Sequence, residues 1–75
     1  MIYFPFLLDL QKFGILGKYT LTSVVNHRGS LNGGHYYTYS KCGEFWYIFN
    51  DDVVTKINEN HVVSNYAFLL FYERV

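Results

Sequence analysis

HYYTYSKCGEFWYIF, residues 35–49, is the stretch of sequence that decides the fold. Its first part, His35 to Lys41, alternates in the way of a strand, and its second part, Phe45 to Phe49, is a dense aromatic run. Short runs of aromatic and β-branched residues favour β-strands. Because Cys42-Gly43-Glu44 lies between the two runs and supplies a turn, the stretch predicts a β-hairpin.

The residues before the hairpin predict another strand and a loop. Tyr19 to His27 is rich in Tyr, Thr and Val, and strict alternation would place Leu21 on one face of a pleat and Val24 on the other. Residues 28–34 are dense in glycine and small polar residues, which is typical of a loop.

The residues after the hairpin extend the sheet. Val53 to Ile57 predicts a short strand, and Asn58 predicts the cap of one helical turn over residues 59–63. Tyr66 to Tyr72 is apolar on both faces, the pattern of a central strand that is covered on each side. The predicted fold class is α+β, predominantly an antiparallel β-sheet of about five strands.

The size and composition indicate part of a larger domain. A chain of 75 residues hides only about 60% of the surface that its unfolded form exposes, and a single cysteine, Cys42, cannot form an internal disulfide. The 21% aromatic content is more apolar surface than a domain of this size needs. We therefore expect residues 1–75 to be a piece of something larger.

The charge and hydropathy patterns exclude several classes of partner. The formal net charge is zero, so the chain has no electrostatic footprint for nucleic acid or for an anionic membrane. The longest apolar runs, residues 4–8 and 66–72, fall far short of the roughly 20 residues that span a bilayer. With no basic residue before the first run and no cysteine pair, we expect an intracellular location, cytoplasmic or nuclear.

His35 is the first candidate catalytic residue. It follows two glycines at the start of a predicted strand, where backbone without side chains can admit a substrate close to the imidazole. If the hairpin turns near Cys42-Gly43, the antiparallel register brings Asn50 or Asp51 close to His35. An oxygen of either could then accept the Nδ1 proton and leave Nε2 as a base. The alternative is a hairpin histidine without catalytic function beside a solvated polar turn.

No residue of this chain qualifies as the nucleophile that such a histidine would serve. Cys42 falls at the opposite end of the strand from His35, roughly 20 Å away at about 3.3 Å per residue. The serines occupy no strained strand-to-helix elbow. His27, His35 and His61 are too widely spread for a zinc site, so the sequence predicts neither metal nor other cofactor.

Six motifs, taken together, resemble a known family. In order they are YxL (19–21) with VVNH (24–27), GS (29–30), GGHYYTY (33–39), WYIFND (46–51), Val54 and AFLLFYER (67–74). This series is similar to the C-terminal part of the catalytic domain of ubiquitin-specific proteases, and the similarity covers nearly the whole chain. The resemblance implies the His-box portion of a papain-like cysteine protease domain.

The resemblance also implies roles for individual residues. His35 would be the general base of a cysteine protease triad, Asn50 would orient it, and Asp51 would assist or polarise the site. The remaining three positions would line the channel for the Gly-Gly tail of ubiquitin: Gly33, Gly34 and Tyr36. The partners implied are ubiquitin or ubiquitinated proteins and the N-terminal half of the domain.

The match is incomplete in one respect that bears on activity. The family's nucleophilic cysteine lies in an N-terminal box that these 75 residues do not contain. Because removing a triad nucleophile costs several orders of magnitude in rate, we expect this chain alone to be inactive. The alternative function is a catalytically incomplete fragment or pseudoenzyme that binds ubiquitin or serves as an interaction module.

Overall fold

The computed structural model describes residues 3–30 and 33–75, which form one antiparallel sheet. Its six strands, in chain order, are β1 (Leu7–Asp9), β2 (Lys18–Arg28), β3 (His35–Cys42), β4 (Phe45–Asn50), β5 (Val53–Ile57) and β6 (Ala67–Arg74). Two short 3-10 helices, Gln11–Phe13 and Glu59–His61, are the helices of the described residues. The predominantly antiparallel sheet is confirmed, with one short strand, β1, more than expected. None of these helices is long and apolar enough to cross a membrane.

The long strand β2 is the centre of the sheet. β1 and β3 pair with its N-terminal and C-terminal parts along one edge, and β6 pairs with it along the other edge. β3, β4 and β5 follow as consecutive hairpins, so the predicted hairpin is confirmed. The loop was predicted over residues 28–34, but in the structure it begins at Gly29, because Arg28 still belongs to β2. Leu31 and Asn32 of the predicted loop lie outside the described residues.

Two-residue turns close both hairpins. Gly43, with φ of 64°, is the first residue of the β3–β4 turn, a position where a positive φ favours glycine. Asp51, with φ of 53°, holds the equivalent position between β4 and β5. Aspartate is among the few other residues that adopt this backbone conformation, because its short side chain can hydrogen-bond locally. Asn58 accepts a hydrogen bond from the Asn60 amide at 2.9 Å, which confirms the predicted cap.

The core lies on one face of the sheet and depends on a β-bulge. Leu21 and Val24 are both fully buried, although strict alternation placed them on opposite faces, so that prediction is wrong. The register of β2 against β6 shifts between Leu21 and Ser23, so Thr22 is an extra residue that reverses the alternation. The buried side chains of this core are Phe4, Leu21, Val24, Trp46 and Val62.

Strand β6 is not the covered central strand that its sequence predicts. Within the described residues it pairs with β2 alone, and the consecutive residues Leu70 and Phe71, which lie on opposite faces, are 39% and 50% exposed. An apolar strand exposed on both faces is unusual in a stable sheet, since about 25 cal/mol of hydrophobic stabilisation is forgone per Å² left in water. The expectation of excess apolar surface therefore holds for this strand.

Candidate active site

His35 and Asn50 meet at one end of the core face. His35 begins β3 and Asn50 ends β4, and the register that pairs Thr38 with Phe49 continues to place Asn50 diagonally across from His35. The imidazole Nε2 atom lies 2.6 Å from Oδ1 of Asn50. Since Asn50 follows Trp46 by four residues in an unbroken strand, the site and the core share the same face.

The contact decides which ring nitrogen is available for chemistry. Because an amide oxygen only accepts hydrogen bonds, Nε2 of His35 must be the donor and carry the proton. In the neutral ring Nδ1 is then the unprotonated nitrogen, and His35 is exposed. The sequence-based expectation had the two nitrogens the other way round, so this detail is wrong. The strand register identifies the partner residue but carries no information on the rotation of the ring.

Four further side chains surround the pair. Arg28 stands directly opposite His35 across β2 and β3, and Tyr39 stands opposite Ile48 across β3 and β4. The side chains that line this depression are Arg28, His35, Tyr37, Tyr39, Ile48 and Asn50. Neither Arg28 nor Tyr37 is among the predicted site residues, although alternation from His35 along β3 places Tyr37 on the same face.

Tyr37 flanks the imidazole. The two rings are nearly parallel, with planes 18° apart and centroids 6.3 Å apart. Burial raises the pKa of the Tyr37 phenol, the interaction with Tyr39 raises it further, and the positive charge of Arg28 acts in the opposite direction. Tyr37 is therefore held neutral over the working range of a histidine base.

Gly33 and Gly34, predicted to line a substrate channel, stand in different surroundings. A Cβ on Gly34 would overlap the ring of His27, so a larger residue there would force this ring to move. A Cβ on Gly33 would have Ser30 Oγ as its nearest described neighbour, at 3.8 Å, which is ordinary van der Waals contact. The packing of the described residues thus explains one of the two glycines and leaves the other open to a ligand.

Tyr36 and Asp51 do not join His35 and Asn50 on the core face. Tyr36 lies on the opposite face, where its ring centroid is 4.5 Å from that of His27 and 6.0 Å from that of Phe68. Asp51 lies in the exposed turn that directly follows Asn50. Of the six predicted site residues, the structure brings together His35 and Asn50, with Gly33 and Gly34 just before His35.

Neither a cysteine nor a metal centre accompanies the pair in the part of the chain that the structure describes. Cys42 is a free, exposed thiol at the far end of β3 from His35. No group of three or more His, Cys, Asp and Glu side chains in residues 3–30 and 33–75 is placed to hold a metal ion. The arrangement offers an oriented base with an accessible Nδ1.

Comparisons with known proteins agree on one family. The model of the family described as "Ubiquitin carboxyl-terminal hydrolase" matches residues 2–72. The "Probable ubiquitin carboxyl-terminal hydrolase" of Acanthamoeba polyphaga mimivirus is 53% identical over 60 residues, which span 76% of this chain and 13% of the relative. Ubiquitin carboxyl-terminal hydrolase 19 of Homo sapiens is 38% identical over 85 residues, spanning 89% of this chain and 6% of the relative.

Solved structures show the same likeness in three dimensions. The Ubp8-Sgf11-Sgf73-Sus1 SAGA DUB module matches with a TM-score of 0.89 and 35% identity, covering 99% of this chain and 18% of the matched chain. A related SAGA DUB module, solved bound to monoubiquitin, matches with a TM-score of 0.85 and 33% identity over 95% of this chain. The chain therefore spans less than a fifth of the length of each of these relatives.

Proposed function

The chain belongs to the ubiquitin carboxyl-terminal hydrolase family, and from that premise we propose that residues 1–75 supply the base and its orienting residue to a cysteine-type deubiquitinase. The observation that carries the proposal is the 2.6 Å contact between His35 Nε2 and Asn50 Oδ1, which leaves Nδ1 unprotonated and accessible. The cysteine nucleophile would come from another part of the catalytic domain.

The first half of the proposed reaction is acyl transfer to the cysteine. His35 Nδ1 takes the thiol proton, and the thiolate attacks the carbonyl carbon of the C-terminal glycine of ubiquitin. When the tetrahedral intermediate collapses, the bond to the lysine nitrogen breaks and the Nδ1 proton passes to that nitrogen. The lysine leaves as a free amine, and ubiquitin remains as a thioester on the cysteine.

The second half restores the enzyme. His35 Nδ1 takes a proton from water, whose oxygen attacks the thioester carbonyl, and the proton returns to the sulfur as the thiolate leaves. Asn50 accepts the Nε2–H bond in both protonation states of the ring, so it holds the imidazole in one orientation throughout. A neutral amide suffices there, because the thiolate and the imidazolium stabilise each other.

The remaining predicted residues act around this pair. We assign Gly33 and Gly34 to the channel for the ubiquitin tail, which the open surroundings of Gly33 support. Tyr36 would contact the tail from the far side of the strand, and the Asp51 carboxylate would polarise the site from the turn beyond Asn50. Ubiquitin conjugates as substrates imply a cytoplasmic or nuclear location.

A chimera tests the proposal. In it, this 75-residue sequence replaces the matched segment of the Ubp8 catalytic subunit within its complex with Sgf11, Sus1 and Sgf73. We expect the chimera to cleave a fluorescent amide from the C-terminus of ubiquitin, and His35→Ala to lower kcat/KM by about 10²- to 10⁴-fold. His61→Ala, at the end of the second 3-10 helix, is the matched histidine control and should retain activity.

Two outcomes would count against the proposal. Cleavage that survives His35→Ala would show that the base lies elsewhere. A chimera that unfolds cooperatively and binds ubiquitin without cleaving it would favour the alternative, an interaction module of the same fold.

A further inference from the structure

Arg28 holds an unassigned position beside the proposed base. It is the last residue of β2 and pairs directly with His35 across the two strands, so the two side chains leave the same face of the sheet. In an antiparallel pair, residues that stand opposite each other have Cα atoms about 4.5–5.5 Å apart. Arg28 is exposed and lines the same depression as His35 and Asn50.

The ring of Tyr66 contacts the Arg28 guanidinium. The Arg28 Cζ atom lies 4.7 Å from the centroid of the Tyr66 ring, within the range of a cation–π contact. Tyr66 is itself anchored, because its carbonyl oxygen accepts the His27 amide at 2.9 Å. The partner that the structure gives Arg28 is thus a ring face, which orients the cation without neutralising its charge.

In the proposed reaction, the leaving lysine comes close to His35, the direct cross-strand partner of Arg28. His35 must lie within hydrogen-bond reach of the leaving lysine nitrogen when it donates its proton, so residues that flank this lysine come within reach of a long side chain beside His35. Ubiquitin is the same in every conjugate, whereas the leaving protein differs. A positive charge at this position therefore acts on the part of the substrate that varies.

We propose that Arg28 is a specificity residue that favours isopeptides whose lysine lies in an acidic segment. The guanidinium, which contacts the face of the Tyr66 ring, would form charge-assisted hydrogen bonds with an Asp or Glu carboxylate near the target lysine. The inference rests on the proposed function, since it needs His35 to face the leaving group. The preference should weaken with salt, because the site is exposed.

The test uses the same chimera and two matched substrates. Each is ubiquitin joined by an isopeptide bond to a short peptide, with the lysine flanked by Glu in one and by the isosteric Gln in the other. We expect kcat/KM to be about 2- to 5-fold higher for the Glu conjugate at low salt, mainly through a lower KM, as for an exposed ion pair. Arg28→Gln should bring this ratio close to one, and Arg28→Lys should leave an intermediate ratio because the bidentate fork is lost.

Lys41→Gln is the charge-matched control. Lys41 lies opposite Trp46, near the end of the β3–β4 hairpin that is far from His35. It removes the same charge and should leave the Glu-to-Gln ratio unchanged. A ratio near one before any substitution, or a ratio that Arg28→Gln does not alter, would overturn the inference while leaving the proposed function intact. If a cooperatively folding chimera cleaves neither conjugate, the proposed function fails and the inference fails with it.

Discussion

The Nε2 atom of His35 lies 2.6 Å from the Oδ1 atom of Asn50, and both residues belong to a single hairpin. Because the amide oxygen accepts, Nε2 is the donor, and Nδ1 is the unprotonated nitrogen of the neutral ring. A carboxamide in this place fixes the tautomer as a carboxylate would, without adding a negative charge to the ring's surroundings. The pair is therefore most sensitive to loss of the accepting oxygen.

Asn50→Ala should lower kcat in the chimera by roughly 10- to 100-fold, less than the ~10²- to 10⁴-fold effect of removing the base. The reason is that the ring remains but loses its fixed orientation. Asn50→Asp keeps an accepting oxygen and should retain most of the activity. Equal losses in both variants would show that the Oδ1 contact is not what matters, and steady-state kinetics with a ubiquitin fluorogenic amide decides between them.

Gly33→Ala and Gly34→Ala should fail in different ways. At Gly34 the new methyl group overlaps the His27 ring, so we expect a loss of roughly 1–3 kcal/mol in the free energy of unfolding. At Gly33 the methyl group meets no close described neighbour, so the thermal midpoint should hold while the KM for ubiquitin substrates rises. Thermal unfolding and kinetics on both variants test this. A Gly33→Ala variant with unchanged KM would remove that residue from the proposed channel.

Asp51→Asn removes the carboxylate charge but keeps a residue that suits the turn, so it distinguishes the electrostatic contribution of Asp51 from its structural one. Asparagine adopts the positive φ of this position as readily as aspartate does, so the thermal midpoint should not change. If the carboxylate polarises the site, kcat/KM should fall by about 5-fold or less, as expected for an exposed charge. Asp51→Val is the comparison that strains the turn, at about 1–2 kcal/mol of stability. Full activity in Asp51→Asn would limit this residue to a structural function.

Tyr72→Phe should change how stability depends on alkaline pH. The Tyr72 hydroxyl donates to the Pro5 carbonyl at 2.6 Å, and burial raises the pKa of this phenol above its usual value of 10. The neutral phenol is thus favoured in the folded state, so its contribution is fully present below pH 10 and is lost as the pH rises through the raised pKa. Removing the hydroxyl should cost about 0.5–1.5 kcal/mol near neutral pH.

The measurement is the thermal midpoint of the chimera between pH 8 and pH 11. Above pH 10 the difference between the unsubstituted chimera and Tyr72→Phe should shrink. Tyr3→Phe, at a side chain that is 75% exposed, is the control and should follow the unsubstituted chimera. Parallel curves for the unsubstituted chimera and Tyr72→Phe would contradict the assignment.

The sequence predicted those features that depend on neighbouring residues. The β3–β4 hairpin and the cap at Asn58 follow from local propensity and turn chemistry, and the approach of His35 to Asn50 follows from the hairpin register. The bulge at Thr22 could not be predicted this way, because it depends on how β2 pairs with β6 from a distant part of the chain. The edge position of β6 was not predicted, because an apolar sequence shows that a strand can be buried but does not show which elements of the fold lie beside it.

The same limit applies to individual side chains at the site. Register put Asn50 near His35 but could not specify Nε2 as the bonded nitrogen, since a ring rotation leaves no trace in the sequence. The register also could not show that the His27 ring fills the space beside Gly34, whereas the described residues leave the space beside Gly33 open. Those distinctions arise from contacts across strands.

Fifteen positions and one tight turn separate the base from the residue that orients it, whereas the hydrogen bond from Thr22 to Phe71 bridges 49 positions. Closing a short loop costs less entropy than closing a long one, and local contacts form faster. The β3–β4 hairpin should therefore assemble well before β6 docks along β2. The orientation of the imidazole thus depends on contacts inside one hairpin, whereas the position of β6 depends on closing a loop more than three times as long.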